Sequence, residues 1–104
     1  MNEHILKALE VEIEPLIRKI VLDLRPSKVV DKDTFEQLYS KLNEYTEQIK
    51  GHDSLLRSMA GKLFYLFSTM VLEAKYTNYN SEIMDEVFRL RQVLIDVFDE
   101  NIMI

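Results

Sequence analysis

The sequence predicts an all-α protein, an antiparallel up-down-up-down four-helix bundle, and three observations carry that expectation. Apolar residues recur at i, i+3, i+4 and i+7 through most of the chain, the period of one helix face. Glycine and proline number only two each, too few for the regular turns of a β-sandwich. The apolar phase is interrupted at three short links, which leaves four helices joined closely enough to pack antiparallel. With 104 residues the chain is long enough for one core and too short for two, so residues 1–104 are read as one domain.

The first helix is predicted from about Glu3 to Leu24, with Ile5, Leu6, Leu9, Ile13, Leu16, Ile17, Ile20, Val21 and Leu24 on one face. Asn2 is its candidate N-cap. Pro15 lies inside it, where proline removes a hydrogen bond and crowds the preceding turn. Because the apolar phase continues across Pro15, a kinked helix is expected over two separate ones. Arg25-Pro26 ends the helix, since the residue before proline is pushed out of the α region. In the connection that follows, Val29 and Val30 are placed against the core.

The second helix opens at Asp33-Thr34-Phe35-Glu36-Gln37, where either Asp33 with Glu36 or Thr34 with Gln37 has capping-box spacing. Its seam, Phe35, Leu38, Leu42, Tyr45 and Ile49 with Tyr39 beside it, is narrow, which marks the most peripheral helix. Gly51 follows as the left-handed residue past its end. Asp53 or Ser54 is expected to cap the third helix, which runs from about Leu55 to Tyr76. Its stretch Leu63–Leu72, LFYLFSTMVL, is apolar around most of its circumference, so this helix is read as surrounded at the centre of the core. Gly61, costly in a helix interior, marks a close approach by a neighbour. Thr77-Asn78-Tyr79-Asn80 is a tight link, and Asn80 or Ser81 caps a fourth helix carrying Ile83, Met84, Val87, Phe88, Leu90, Leu94, Ile95, Val97 and Phe98. Glu3–Lys7, Glu14–Arg18 and Asp85–Arg89 are acid-first i, i+4 pairs, each contributing a few tenths of a kcal/mol.

Composition narrows the function. The net charge of −5 without a basic stripe disfavours nucleic acid, whose binding rests on neutralised phosphates. There is no cysteine, hence no disulfide framework or thiolate metal site. The first ten residues are charged and amphipathic, unlike a signal peptide, and Leu63–Leu72 is about half of the ~20 residues a membrane span requires. A cytoplasmic protein without a transmembrane segment is expected.

No catalytic, metal or cofactor site is expected either. His4 and His52 lack the Glu-x-x-His spacing of a carboxylate-bridged bundle site. Glu10, Glu12 and Glu14 are spaced i, i+2, which sends neighbours to different sides of a helix. Ser58, Ser68 and Thr69 have no histidine at pairing distance in the pattern. Phe64, Phe67, Phe88 and Phe98 are read as core, and Met59, Met70, Met84 and Met103 as gap filler. Two features stand apart from a plain scaffold. Tyr76 and Tyr79 sit among polar residues at the tip between the third and fourth helices, a composition suited to protein interfaces. The tail Ile102-Met103-Ile104 is apolar where chain ends are usually polar. Together with Arg91 on the fourth helix, these five residues form the candidate partner-binding set.

The layout resembles the immunity proteins of pediocin-like (class IIa) bacteriocins, the enterocin A immunity family. The resemblance is clearest over LLRSMAGKLFYLFSTMVLEAKYTNYNSEIMDEVFRLRQVL, residues 55–94, where a long apolar third helix, a tyrosine- and asparagine-bearing link and an amphipathic fourth helix follow in that family's order. The chain departs from several members in being acidic and in carrying only a short tail. The resemblance implies a non-enzymatic cytoplasmic protein that protects a bacterium from a pore-forming peptide by engaging the bacteriocin-bound mannose permease. It also implies that specificity lies in the fourth helix and tail, here residues 76–104. The alternative is a small acidic helical interaction module, such as an antitoxin or a phage-encoded inhibitor.

Overall fold

A computed structural model describes residues 3–52 and 54–98. All regular structure among these is α-helical: α1 (Glu3–Leu24), α2 (Lys32–Ile49), α3 (Arg57–Tyr76) and α4 (Ser81–Val97). α1 runs unbroken through Pro15. Pro15 and Val11 both lie on its exposed side, so the carbonyl that the missing N–H would have bonded faces water, which offsets much of the usual cost. The helix ends in a turn with a cis Arg25–Pro26 bond and Lys28 in the left-handed region (φ 58°). There the Lys28 amide donates to the Leu24 carbonyl at 3.0 Å and the Val29 amide to Asp23 at 2.9 Å. Val30 packs on the core while Val29 stays exposed.

Caps differ from the sequence expectation at two of the helix starts. α2 is capped by Asp31, whose carboxylate accepts from the amides of Asp33 at 3.1 Å and Thr34 at 3.4 Å. Neither Asp33 nor Thr34 is the cap, because Asp31 stands in extended conformation (φ −91°, ψ 99°) just before the first turn and reaches the free amides first. α3 begins at Arg57 with no side-chain cap. Ser54 lies three residues upstream of Arg57 and therefore cannot cap it, while Leu55 and Leu56 pack against the core. Asn2 and Asp53, the other proposed caps, lie outside the described residues. Gly51 adopts the expected left-handed conformation, φ 83°.

Around the bundle, α1 packs on α2 and α3, and α4 packs on α2 and α3, so that α1/α4 and α2/α3 occupy the diagonals. Ion pairs set the directions. Lys19 of α1 meets Asp31 at the start of α2, so those two helices are antiparallel. Lys62 near the start of α3 meets Glu10 near the start of α1, and Arg25 just past α1 meets Glu73 near the end of α3. The neighbours α1 and α3 are therefore parallel, although the chain alternates up, down, up, down. A diagonal step from α2 to α3, residues 50–56, makes this possible.

This arrangement corrects the reading of α2 and α3. The narrow α2 seam is buried throughout, with Phe35, Leu38, Leu42 and Tyr45 almost wholly enclosed, so α2 is not peripheral. α3 is not surrounded. It buries Met59, Leu63, Leu66, Thr69, Met70, Glu73 and Ala74 on one side, and its other side faces solvent. Phe64 is 73% exposed, and Tyr65, Val71 and Leu72 are exposed as well. Phe88 and Phe98 of the expected core are also exposed, whereas Phe67 is partly buried against it. Periodicity located the buried arc of α3 but could not say that only two helices would cover it. Gly61 has nothing within 4 Å of where a Cβ would stand, so no helix approaches it.

Candidate partner-binding surface

The tip between α3 and α4 is built from backbone hydrogen bonds. At the end of α3 the Tyr79 amide donates to the Ala74 carbonyl at 2.6 Å and the Asn78 amide to Lys75 at 3.2 Å. These are the six-to-one and five-to-two bonds of a Schellman turn, with Asn78 left-handed (φ 56°) at the position that favours glycine or asparagine. Tyr79 is left-handed too, φ 61°, an uncommon conformation for a bulky residue. Thr77 Oγ1 donates to the Glu73 carbonyl at 2.9 Å. Asn80 then caps α4, its side-chain oxygen accepting from the Ile83 amide at 3.1 Å. Every residue of the link is thus tied down, and both tyrosines project outward: Tyr76 is 64% and Tyr79 60% exposed. Neither ring folds back over the bundle end.

Arg91 is also exposed, on α4. Helical spacing places it about three turns from the tip, so the structure does not gather it with the tyrosines. Ile102, Met103 and Ile104 lie outside the described residues, as do Asp99 and Glu100.

Three buried glutamates were missed by sequence reasoning. Glu10 accepts from Ser58 Oγ at 3.0 Å and pairs with Lys62. Burial pushes the Glu10 carboxyl up, but the hydrogen bonds from Lys62 and Ser58, with the nearby charges of Lys62 and Lys7, hold it below its ordinary range. A carboxylate so held is a weak base, so its contact with Ser58 does not make a nucleophile–base pair. Glu73 is held by Lys28 and, at 3.3 Å, by Arg25. Glu86 accepts from Tyr39 Oη at 2.7 Å and lies 3.5 Å from Arg89. Burial first, and then the bond to Glu86, pushes the Tyr39 phenol up. The available signal was phase: Glu10, Glu73 and Glu86 each fall in register with the apolar residues of their helix, where a carboxylate needs partners. The i, i+2 argument holds for its neighbours, since Glu12 turns to Lys41 and Glu14 to Arg18.

Arg89 does not pair with Asp85. It bonds Glu36 of α2 at 2.6 Å, and its guanidinium lies 4.8 Å from the centre of the Tyr39 ring. A longer reach across the α2–α4 seam wins because it adds a carboxylate and an aromatic face to the buried Glu86. Above it runs an open groove of about 470 Å³, lined by Glu36, Tyr39, Ser40, Asn43, Arg89, Gln92 and Val93. Of its polar groups, Glu36 and Arg89 pair with each other and Tyr39 gives its hydroxyl to Glu86.

His4 and His52 are both exposed. Among the described residues no group of three histidine, aspartate or glutamate side chains could hold a metal ion, and no helix is long and apolar enough to cross a membrane. Comparison of the chain with models of known families, with curated proteins and with solved structures finds no match.

Proposed function

We propose that the protein is a non-enzymatic binding protein that presents the α3–α4 tip to a protein partner. The observation that carries this reading is the pair Tyr76 and Tyr79, held outward on a fully hydrogen-bonded link. Such a tip offers aromatic contact area at little entropic cost on binding. Within that class the best-supported role is immunity to a class IIa pore-forming bacteriocin, exercised from the cytoplasm on the bacteriocin-bound mannose permease. Its support is the resemblance over residues 55–94 and the four-helix layout.

Expression in a bacteriocin-sensitive host tests the role. Resistance to one class IIa peptide, lost in Tyr76→Ala/Tyr79→Ala with the melting temperature unchanged, is the expected result. Unchanged sensitivity across a broad panel of such peptides would overturn it. A second reading, an antitoxin or enzyme inhibitor, draws on the exposed acids of α2 and α4, Asp33, Glu44, Glu47, Glu82, Asp85 and Asp96, which suit a basic partner. Recovery of one soluble basic partner by the wild-type protein and not by a charge-reversed α2 variant would favour it.

A further inference from the structure

The outer sides of the parallel neighbours α1 and α3 carry the same pattern. On α1 the exposed row is Lys7, Val11, Arg18 and Leu22, continued by Arg25 just past its end, and on α3 it is Arg57, Gly61, Phe64, Ser68, Leu72 and Lys75. Each row keeps three- and four-residue steps or their sums, so each occupies one side of its helix. Both begin and end on cations; between them the α3 row is apolar or small, and the α1 row holds Val11 and Leu22 with Arg18, which is tied to Glu14. Phe64 and Val11 are more than 70% exposed and Leu22 is 63% exposed, with Tyr65 and Tyr76 beside the α3 row.

The charge of the α3 half of this face is one-signed. α3 is the only helix of net positive charge, with Arg57, Lys62 and Lys75 against Glu73. Glu73 is buried and held by Arg25 and Lys28, and Glu10 in the same seam is held by Lys62. Glu14, a carboxylate within the α1 row, is tied to Arg18. Of the other exposed acids among the described residues, Glu3 and Glu12 belong to α1, Glu3 one turn before Lys7 and Glu12 turned towards Lys41 of α2, and the rest lie on α2 and α4.

A second copy of this chain is a poor occupant. Two-fold pairing through the α3 row would set Arg57 and Lys75 against cations, since that row carries no carboxylate, a like-charge arrangement that suppresses association. From Arg57 to Lys75 the row is about 27 Å long at 1.5 Å per residue. It is two helices wide and rimmed by tyrosine and long cations. That composition fits a plane that is apolar within and anionic at its edge.

We propose that the α1–α3 face docks on a membrane surface carrying anionic phospholipid headgroups. Val11, Leu22, Phe64 and Leu72 enter the headgroup–acyl boundary, and Lys7, Arg57 and Lys75 meet phosphates around them. The acids of α2 and α4 do not prevent this. They stand about one helix layer, ~10 Å, behind the face, which is the Debye length at about 0.1 M salt. This proposal does not depend on the immunity role or on the tip's partner.

The chain has no tryptophan, so Phe64→Trp supplies a single tryptophan at the centre of the face, excited apart from the tyrosines at the red edge. Emission of the full-length variant is read against vesicles of phosphatidylcholine alone and of phosphatidylcholine mixed with phosphatidylglycerol. A blue shift with the mixed vesicles, weakened by added salt and absent with phosphatidylcholine alone, is expected. Arg57→Glu/Lys75→Glu in that background should weaken binding by at least about thirtyfold, the loss of two juxtamembrane cations before the added negative charge is counted. In co-sedimentation Leu22→Ser should weaken binding, whereas Phe88→Ser on α4 should leave it unchanged. All these positions are exposed, and an unchanged melting temperature shows that each variant is folded. No shift with mixed vesicles, equal shifts with both vesicle types, or full binding by the charge-reversed variant would each overturn the proposal. So would sedimentation lost equally in Phe88→Ser and Leu22→Ser.

Discussion

Tyr39 and Tyr45 stand six residues apart on the buried side of α2 and meet opposite circumstances. Tyr39 gives its hydroxyl to the Glu86 carboxylate, whereas Tyr45 Oη is buried without a hydrogen-bond partner. The backbone of Leu56 is its polar neighbour, and burial together with the Glu10 charge pushes the Tyr45 phenol up to about 12. Tyr39→Phe should cost roughly 1.5–3 kcal/mol, the worth of a hydrogen bond to a charged group. Tyr45→Phe removes an unsatisfied group and should leave urea stability unchanged or raised; a loss above about 1 kcal/mol would show that the hydroxyl has a partner. Glu10 sets a pH dependence. Its folded-state pKa lies below the ordinary 4.5, so its contribution is complete above that value and lost as pH falls through the depressed one. Glu10→Gln should flatten the loss of stability below about pH 4.5, measured by denaturation at stepped pH, and identical acid limbs would remove Glu10 from the account.

At the scale of the helix, α3 separates burial from hydrophobicity. Leu63 and Leu66 are fully buried, and truncating either to alanine should cost about 2–5 kcal/mol. Phe64→Ala, on the same turn but facing water, should stay within roughly 0.5 kcal/mol of the parent. Gly61→Ala should stabilise by about 1 kcal/mol, because alanine is the better helix former and the space above Gly61 is empty. Equilibrium unfolding of the four variants checks the set, and a large loss in Phe64→Ala would mean that the outer side of α3 is covered. The period of the apolar residues made α3 legible as a helix. Its exposed side was not legible, because apolar residues all round a helix are written the same way whether other helices or a different surface will meet them.

For the whole molecule, the parallel pairing of α1 and α3 rests on clamps at both ends of their seam, Glu10 with Lys62 and Glu73 with Arg25 and Lys28. The second clamp is asymmetric, since Glu73 is enclosed while its two cations are half exposed. Arg25→Ala/Lys28→Ala leaves an uncompensated buried charge and should cost about 3–5 kcal/mol. Glu73→Gln should cost less, because the freed cations can hydrate. Thermal and urea unfolding of the two variants distinguish the cases, and equal losses would mean that the clamp acts only through side-chain packing.

The chain's own order of apolar and polar residues determined four helices, the span of α1, the left-handed Gly51 and a cap for α4 at Asn80 or Ser81, because these depend on local spacing and local hydrogen bonds. It also determined that Tyr76 and Tyr79 would share a short link. Only the tertiary structure decided which helices are neighbours, since a seven-residue connection from α2 to α3 reaches an adjacent or a diagonal position equally well. That choice made α1 and α3 parallel and brought Glu10 and Glu73 onto their cations. It also left Phe64, Tyr65 and Leu72 facing outward beside Val11 and Leu22. Burial is a property of the neighbours a side chain meets, and those neighbours come from parts of the chain that no local spacing relates.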